Sequence, residues 1–338
     1  MKIIEISKAG DPSVLKLKEV KDPPILPNQL KIGVKASGIN FADILARQGL
    51  YQDAPPLPCV VGYEVSGVVL EVGSQVSPIW VGKEVVSFTR FAGYADAVYV
   101  TLTQVFEKPK DLSYSEAAAI PVNYITAYGL LVVMGGLKKD ETILIQNAGG
   151  GVGLAALQIA KHLGAKTIGT ASISKHERLK KMGLDHAVDY RKENWDKEIL
   201  ALTNNLGVDL IIDPLGPTSW KKSIKILRHL GRLGMFGASE MSSNSPLKIF
   251  GALKTLISMP WFHPMGLLNH NRGVFGLNLG HLWHEQQKVA SWGLEILKWV
   301  EGGIIKPHVD REFKFSEVAA AHQYIEDRKD FGKVILIP

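Results

Sequence analysis

From Asn147 to Gly153 the chain reads NAGGGVG, and it continues into the apolar run LAALQIAKHLG. Glycine weakens a helix, so a cluster of glycines directly before a good helix former needs a reason other than helix stability. Ala148, Gly150 and Gly153 have the spacing A/G-x-G-x-x-G, and TILIQ ahead of them has the texture of a strand. A strand-to-helix turn of this kind cradles a pyrophosphate. Ala148 is small enough for the tight turn, Gly150 lets the backbone approach the phosphates, and Gly153 lets the helix lie close to the sheet. The helix N-terminus adds free N–H groups and a partial positive charge. Gly151 and Val152 lie within the same turn and are counted with the binding residues. A glycine-rich turn with no ligand is the plain alternative, and the alternating elements downstream weigh against it. The Gly-Lys-Ser/Thr ending of a nucleotide triphosphate loop is missing, so ATP or GTP is not expected.

In domains that prefer NAD, an Asp or Glu about 20 residues further on takes the ribose hydroxyls. Here the corresponding stretch reads IGTASISKHERLKK, with Ser172 and Lys175 and no carboxylate before Glu177. A hydroxyl and a lysine attract a 2'-phosphate that an acid would repel, so NADP(H) is the expected cofactor. A merely solvated helix face accounts for Lys180 and Lys181. It accounts less well for a lysine in the first turn, where the helix dipole disfavours it.

The elements that must hold this turn alternate strictly from about Pro121: TILIQ strand, VGLAALQIAKHLG helix, KTIGTA strand, KHERLKKMG helix, HAVDY strand, WDKEILALTNN helix, VDLIID strand, SWKKSIKILRH helix, GRLGMFG strand. That order predicts a doubly wound parallel sheet, an α/β class dinucleotide-binding domain. Before it lie short strand-like runs (QLKIGVKASG, EVSGVVLEVG, KEVVSF, YADAVYV) and one helix between Asn40 and Gln48. After it come RGVFGLNLG, a helix over about Glu285 to Glu301, and the closing pieces EVAAAHQYIEDR and KVILIP. The expected division is a β-rich domain over 1–120 and 286–338, interrupted by a Rossmann domain over 121–285.

Composition sets the outer bounds. The chain has 338 residues, 39 basic against 33 acidic, giving a net charge of +6. The basic residues are dispersed, without the blocks or finger motifs of a nucleic-acid binder, and a phosphorylated small molecule fits the charge as well. A single cysteine, Cys59, excludes an intramolecular disulfide framework and every multi-cysteine zinc motif, and points to an intracellular, cytoplasmic chain. The start MKIIEISKAG lacks the apolar run of a signal peptide. Two uncharged runs, Ala117 to Leu137 and Thr142 to Ala160, imitate membrane spans, but their Pro, Asn and Gly content reads as buried core. No G-x-S-x-G elbow occurs, and Ser239 in GASEM lacks the second glycine. Cys59, after Pro58 in an apolar setting, reads as an inert thiol.

Taken together, GINFAD (Gly38 to Asp43), GYEVSGVVLEVG (Gly62 to Gly73), NYITAYGLL and NAGGGVGLAALQIAKHLGAKTIGTAS resemble the medium-chain dehydrogenase/reductase superfamily. The similarity to its quinone oxidoreductase branch covers essentially the whole chain. TASISKHE and NRGVFGLNLG look most like the vesicle amine transport protein group within it. The resemblance implies a GroES-like catalytic domain interrupted by the Rossmann domain, with the active site in the cleft between them. Zinc-dependent relatives carry Gly-His-Glu where this chain has Gly62, Tyr63 and Glu64. They carry a cysteine ligand in the segment of Asn40, and a four-cysteine lobe that this chain lacks. A catalytic zinc is therefore not expected. His281 and His284 form a lone pair without a third ligand. Alcohol oxidation without a Lewis acid loses its means of stabilising an alkoxide. Hydride addition to an enone or quinone needs only donors for the developing enolate.

The same resemblance implies the site residues. Asn40 would donate near the nicotinamide or the substrate carbonyl; an N-cap with Asp43 reaching back fits its spacing equally, and one residue could serve both. Tyr51 matches a tyrosine that lines the family's pocket, with a plain loop aromatic as its alternative. Thr126 matches a threonine at the nicotinamide, or bonds its own helix backbone. Ser172, Lys175, Tyr190 and Arg328 match positions that hold the 2'-phosphate. Phe236 and Phe275 are counted with the cofactor residues, and Tyr63 is expected to fill the vacated metal site.

The expected partner is a hydrophobic electrophile such as a quinone, enone or alkenal. A different class of function, membrane association or partner binding on the same fold, is suggested by the apolar segment Pro246 to Leu268. Capping the cleft or packing on a second subunit ranks above membrane contact for that segment. A homodimer is expected, pairing through RGVFGLNLG, because pairing would cover an exposed sheet edge.

Overall fold

The computed structural model describes residues 1–239 and 259–338. The chain forms two compact units, residues 1–125 with 280–338 and residues 126–279. The first unit opens with β1 (Lys2–Ile6), β2 (Leu15–Glu19), β3 (Gln29–Gly38), β4 (Glu64–Val72), β5 (Glu84–Phe88), β6 (Ala97–Thr101) and β7 (Val105–Glu107). The second contributes β8 (Thr142–Ile145), β9 (Lys166–Ala171), β10 (His186–Asp189), β11 (Val208–Asp213), β12 (Leu227–Met235) and β13 (Gly273–Gly276). The chain then returns to the first unit with β14 (Val309–Lys314) and β15 (Lys333–Ile337).

In the first unit a seven-stranded sheet runs β14-β15-β3-β4-β5-β7, with β6 beside β3, and its β3 to β7 pairings are antiparallel. Alternation sends Leu30, Ile32 and Val34 of β3 into one core with Val65, Val69 and Val98. A second core gathers Ile4, Ile6, Cys59, Tyr94, Phe315, Val334 and Leu336. Within it β15 pairs antiparallel with the end of β3, so the C-terminal strand is tied to the segment entering Asn40. Cys59 is buried, and burial raises its thiol pKa, in keeping with an inert thiol.

In the second unit the six strands are parallel, in the order β10-β9-β8-β11-β12-β13. β8, β9 and β11 read TILI, KTIGTA and VDLIID and are almost wholly buried, as a parallel sheet covered on both faces requires. Each fully buried Ile or Leu there contributes about 1.5–3 kcal/mol. The helix Gly151–His162 buries Leu154, Ala155, Ala156, Leu157, Ile159 and Ala160.

One local expectation is corrected. The helix expected through His229 ends at Ser223, and β12 already begins at Leu227. Leu227 pairs in register with Val208, and Leu230, at φ 67°, turns its N–H to Asn271 O (2.7 Å) and bulges the strand. The uncharged run from Ala117 breaks into the helix Pro121–Tyr128 and a π-helical stretch Gly129–Met134. Among the described residues no helix is long and apolar enough to cross a membrane. Of the segment Pro246 to Leu268, residues 246–258 lie outside the described residues, Phe262 packs on the core of the second unit, and Trp261 is 84% exposed.

Candidate active site

The glycine turn sits at the C-terminal end of β8. Asn147 takes left-handed backbone (φ 54°), Gly150 caps the helix, and the first intrahelical bond runs from Leu154 N–H to Gly150 O at 2.9 Å. The N–H groups of Gly151, Val152 and Gly153 therefore precede the helical ladder, and no acidic residue occupies the first turn. A Cβ on Gly153 would lie 2.3 Å from Asn147 O and 2.7 Å from Ala148 O, so only glycine allows the helix to approach the turn. A Cβ on Gly150 would meet the Asn147 side-chain amide instead, at 2.7 Å. Ala148 is fully buried, and its methyl occupies the space that a side chain at Gly169 of β9 would need.

A buried polar string braces the turn from below. Asn147 N–H donates to Thr170 Oγ1 (3.2 Å), Thr170 donates to Gln146 Oε1 (2.6 Å), and Gln146 Nε2 donates over a long 3.4 Å to Ser223. Ser223 Oγ donates to Asp213 Oδ2 at 2.8 Å, and Ser219 donates to the same oxygen at 2.6 Å. Every donor points towards the carboxylate, which fixes the orientation of the Gln146 amide and holds the ends of β8, β9 and β11 together.

The strand order places this turn at a topological switch point, since the chain leaves β8 towards β9 on one side and returns on the other as β11. Ala171 and Asp189 are register partners, so Ser172 and Tyr190, the next residue of each strand, share one sheet edge. Ser172 is the N-cap of the helix Ile173–Lys181 and lies 3.1 Å from Ser174 through the hydroxyls. Lys175 follows in the first turn, with no carboxylate paired to it among the described residues. Phe236 follows β12, and Phe275 stands opposite Gly234 on β13. Arg328 belongs to the first unit, exposed and at φ 58° just beyond the helix Val318–Glu326. Thr126 is buried in the helix Pro121–Tyr128.

In the first unit Asn40 is the N-cap of the helix Phe41–Arg47, and Asp43 Oδ2 reaches back to its N–H at 2.8 Å. The Asn40 amide has other partners. Its Oδ1 accepts from Lys333 Nζ at 2.7 Å, and its Nδ2 donates to Glu64 Oε1 at 2.9 Å. Lys333 and Glu64 form an ion pair, and Glu64 Oε2 accepts from Val122 N–H at 2.7 Å. Asp43 Oδ1 takes Gly62 N–H at 3.0 Å, which fixes the backbone entering Tyr63.

Behind Asp43 the string continues through buried groups. Arg47 can only donate, so its Nη1, 3.5 Å from His322 Nδ1, assigns the ring proton to Nε2. His322 Nε2 then donates to Tyr94 (3.1 Å), and Tyr94 donates to Asp43 Oδ2 (3.2 Å). Burial pushes Asp43 up to about 7, against the pull of its hydrogen bonds and of Lys333. Burial and the Arg47 charge push His322 down to about 3, so the ring is neutral. Arg47 completes the frame with Glu326 (2.9 and 2.7 Å) and Gly10 O (3.1 Å).

Beside this frame stands an aromatic group: Tyr63 lies edge-on to Tyr51 (centroids 6.4 Å) and tilted on Phe91 (5.2 Å). The buried Tyr63 hydroxyl has no hydrogen-bond partner of ordinary geometry, and burial raises its pKa, so it stays protonated. His281 bonds Asp53 (2.7 Å), and no group of three or more His, Cys, Asp or Glu able to hold a metal occurs among the described residues. Sequence reasoning missed Lys333, Tyr94, His322 and Arg47. Lysine before an apolar strand reads as an exposed flank, and a helix histidine carries no spacing signal.

Residues 26–121 match the family described as Alcohol dehydrogenase GroES-like domain, and residues 151–295 the one described as Zinc-binding dehydrogenase. The human (Homo sapiens) protein named Synaptic vesicle membrane protein VAT-1 homolog is 37% identical over 313 residues, spanning 92% of this chain and 79% of that one. Quinone oxidoreductase-like protein 2 of Bos taurus is 32% identical over 325 residues, spanning 95% and 88%. The crystal structure of Escherichia coli quinone oxidoreductase complexed with NADPH superposes with a TM-score of 0.87 at 30% identity, covering all of both chains. Both domain families and relatives of this closeness, laid over this parallel sheet and its glycine turn, place the chain in the medium-chain dehydrogenase/reductase superfamily of oxidoreductases.

Proposed function

We propose that the protein is an NADPH-dependent reductase that delivers hydride to quinones or α,β-unsaturated carbonyls without a metal ion. The observation that carries this reading is the cluster of Asn40, Glu64 and Lys333, in which Asn40 and Glu64 stand in the segments where zinc-dependent relatives carry ligands and Lys333 pairs with both. Its chemistry does not suit zinc. Both Glu64 oxygens are engaged, by Lys333 and Asn40 on one side and Val122 N–H on the other, and a buried ammonium would repel a second cation. Tyr63, where those relatives have histidine, is a neutral phenol.

The residues do suit a dinucleotide. The N–H groups of Gly151 to Gly153 would hold the pyrophosphate, and the absence of side chains at Gly150 and Gly153 keeps the turn open and close to its helix. Ser172 and Lys175, at the end of β9 with no acid in the first turn of the helix, would hold a 2'-phosphate together with Tyr190 at the same sheet edge. NADPH, when bound, supplies the hydride. The oxygen of the acceptor gains charge as hydride arrives at the β-carbon, and a fixed N–H or O–H donor in a site that excludes water stabilises it. Asn40 is the donor this reading assigns, with Tyr51 lining the pocket.

Lys175→Glu tests the cofactor assignment. Fluorescence titration should show NADPH affinity falling about tenfold or more, as a lost charge-assisted bond and a new repulsion require, with NADH affinity little changed. An unchanged NADPH to NADH ratio would place the 2'-phosphate elsewhere.

A further inference from the structure

We propose that Lys333 is a positioning residue that turns Asn40 into a one-way hydrogen-bond donor for the acceptor's carbonyl oxygen. This rests on the reductase reading above and names how its donor is set. An ammonium has hydrogens and no lone pair, whereas a carboxylate has lone pairs and no hydrogen. Lys333 Nζ lies 2.7 Å from Asn40 Oδ1, and Glu64 Oε1 lies 2.9 Å from Asn40 Nδ2. The amide has one orientation compatible with both neighbours. Its oxygen is consumed, one Nδ2 hydrogen goes to Glu64, and the second is the group left for a ligand.

Burial supports that division of roles. Lys333 is 2% exposed and Glu64 0%, while Asn40, at 9%, is the most accessible of the three. The sheet is built around the pair: a Cβ on Gly38 would lie 2.6 Å from both Glu64 Oε1 and Lys333 Cε. Register holds the lysine in place, since Lys333 starts β15 opposite Val309 while Ile335 pairs with Gly38 itself. A buried cation against Oδ1 also polarises the amide, strengthening the donor at its other end. With both the lysine and the Glu64 charge gone, nothing prevents the amide from presenting its oxygen to a developing enolate.

The test compares the wild type with three variants, all checked for folding by urea unfolding. In Asn40→Asp/Glu64→Gln the charge is conserved and Lys333 keeps an anionic partner, but position 40 has no hydrogen to give. In Lys333→Met/Glu64→Gln the cation and the anion leave together. Lys333→Arg keeps the cation. With NADPH and either 1,4-benzoquinone or 2-cyclohexenone, both double variants should lose about a hundredfold in kcat, the usual loss for an oxyanion donor, with KM within about threefold. Lys333→Arg should recover at least about a third of wild-type kcat. A double variant that folds and keeps kcat within about threefold overturns the proposal. Side-chain amide NMR separates this from failure of the reductase reading. The wild type should show two distinct Asn40 Nδ2 protons, one of them downfield and protected from exchange by Glu64. In Lys333→Met/Glu64→Gln that difference should collapse. If the wild type turns over neither acceptor, the reductase reading fails on its own account. A pattern that persists in Lys333→Met/Glu64→Gln overturns the lock whatever the turnover.

Discussion

Gly153→Val should abolish measurable NADPH binding, raising the dissociation constant at least about a hundredfold, or ~2.7 kcal/mol. The added Cβ would stand 2.3 Å from Asn147 O and 2.7 Å from Ala148 O, backbone atoms of a turn whose Asn147 N–H is held by the string that ends on Asp213. The turn cannot yield, so the helix must move away and take the N–H groups of Gly151 to Gly153 with it. Gly150→Ala is the contrast. Its new methyl meets the Asn147 side-chain amide, which can swing aside, so the loss should be smaller. Fluorescence titration of both variants, with circular dichroism as the folding control, checks the order. A Gly153→Val protein that folds and binds NADPH within about threefold of wild type would contradict this account of the turn.

Arg47→Met should be the most damaging single change to the first unit, costing about 3–5 kcal/mol, the usual consequence of removing one partner from a buried ion pair. Arg47 is fully buried, and its guanidinium serves Glu326, Gly10 O and the His322 ring together. Methionine fills much of the volume but leaves Glu326 with an apolar neighbour in place of the guanidinium and, among the described residues, only the Gln48 amide (2.8 Å) as a donor. Arg47→Lys should recover only part of the loss, because one ammonium cannot span three acceptors in a fixed plane. Urea unfolding measures both variants. A shift for Arg47→Met below about 1 kcal/mol would show that water and the Gln48 amide satisfy Glu326 without the guanidinium.

The turn is legible in the sequence because each of its requirements is local. Small residues at Ala148, Gly150 and Gly153 follow from backbone sterics within seven residues, and the alternating strands and helices around them follow from hydrophobic period. Ser172 and Lys175 are legible for the same reason, since the feature that matters is the missing acid beside them. The frame around Asn40 is not. Lys333 lies 293 residues away, and nothing in GKVILIP distinguishes a buried lysine from an exposed strand flank. His322 sits in an ordinary amphipathic helix, and its neutral state depends on Arg47 and burial that only the tertiary structure supplies. Asn40 itself is recognisable as an N-cap, yet its amide serves Lys333 and Glu64, a use that local spacing does not encode.

The most direct test of metal-free hydride transfer is the fate of deuterium from 4-deuterated NADPH in chelator-treated protein incubated with a conjugated enone. The account predicts NADPH consumption unaffected by the chelator, with deuterium at the β-carbon of the saturated ketone. No label transfer to any quinone, enone, alkenal or enoyl thioester, or turnover that vanishes on chelation and returns with zinc, would contradict it.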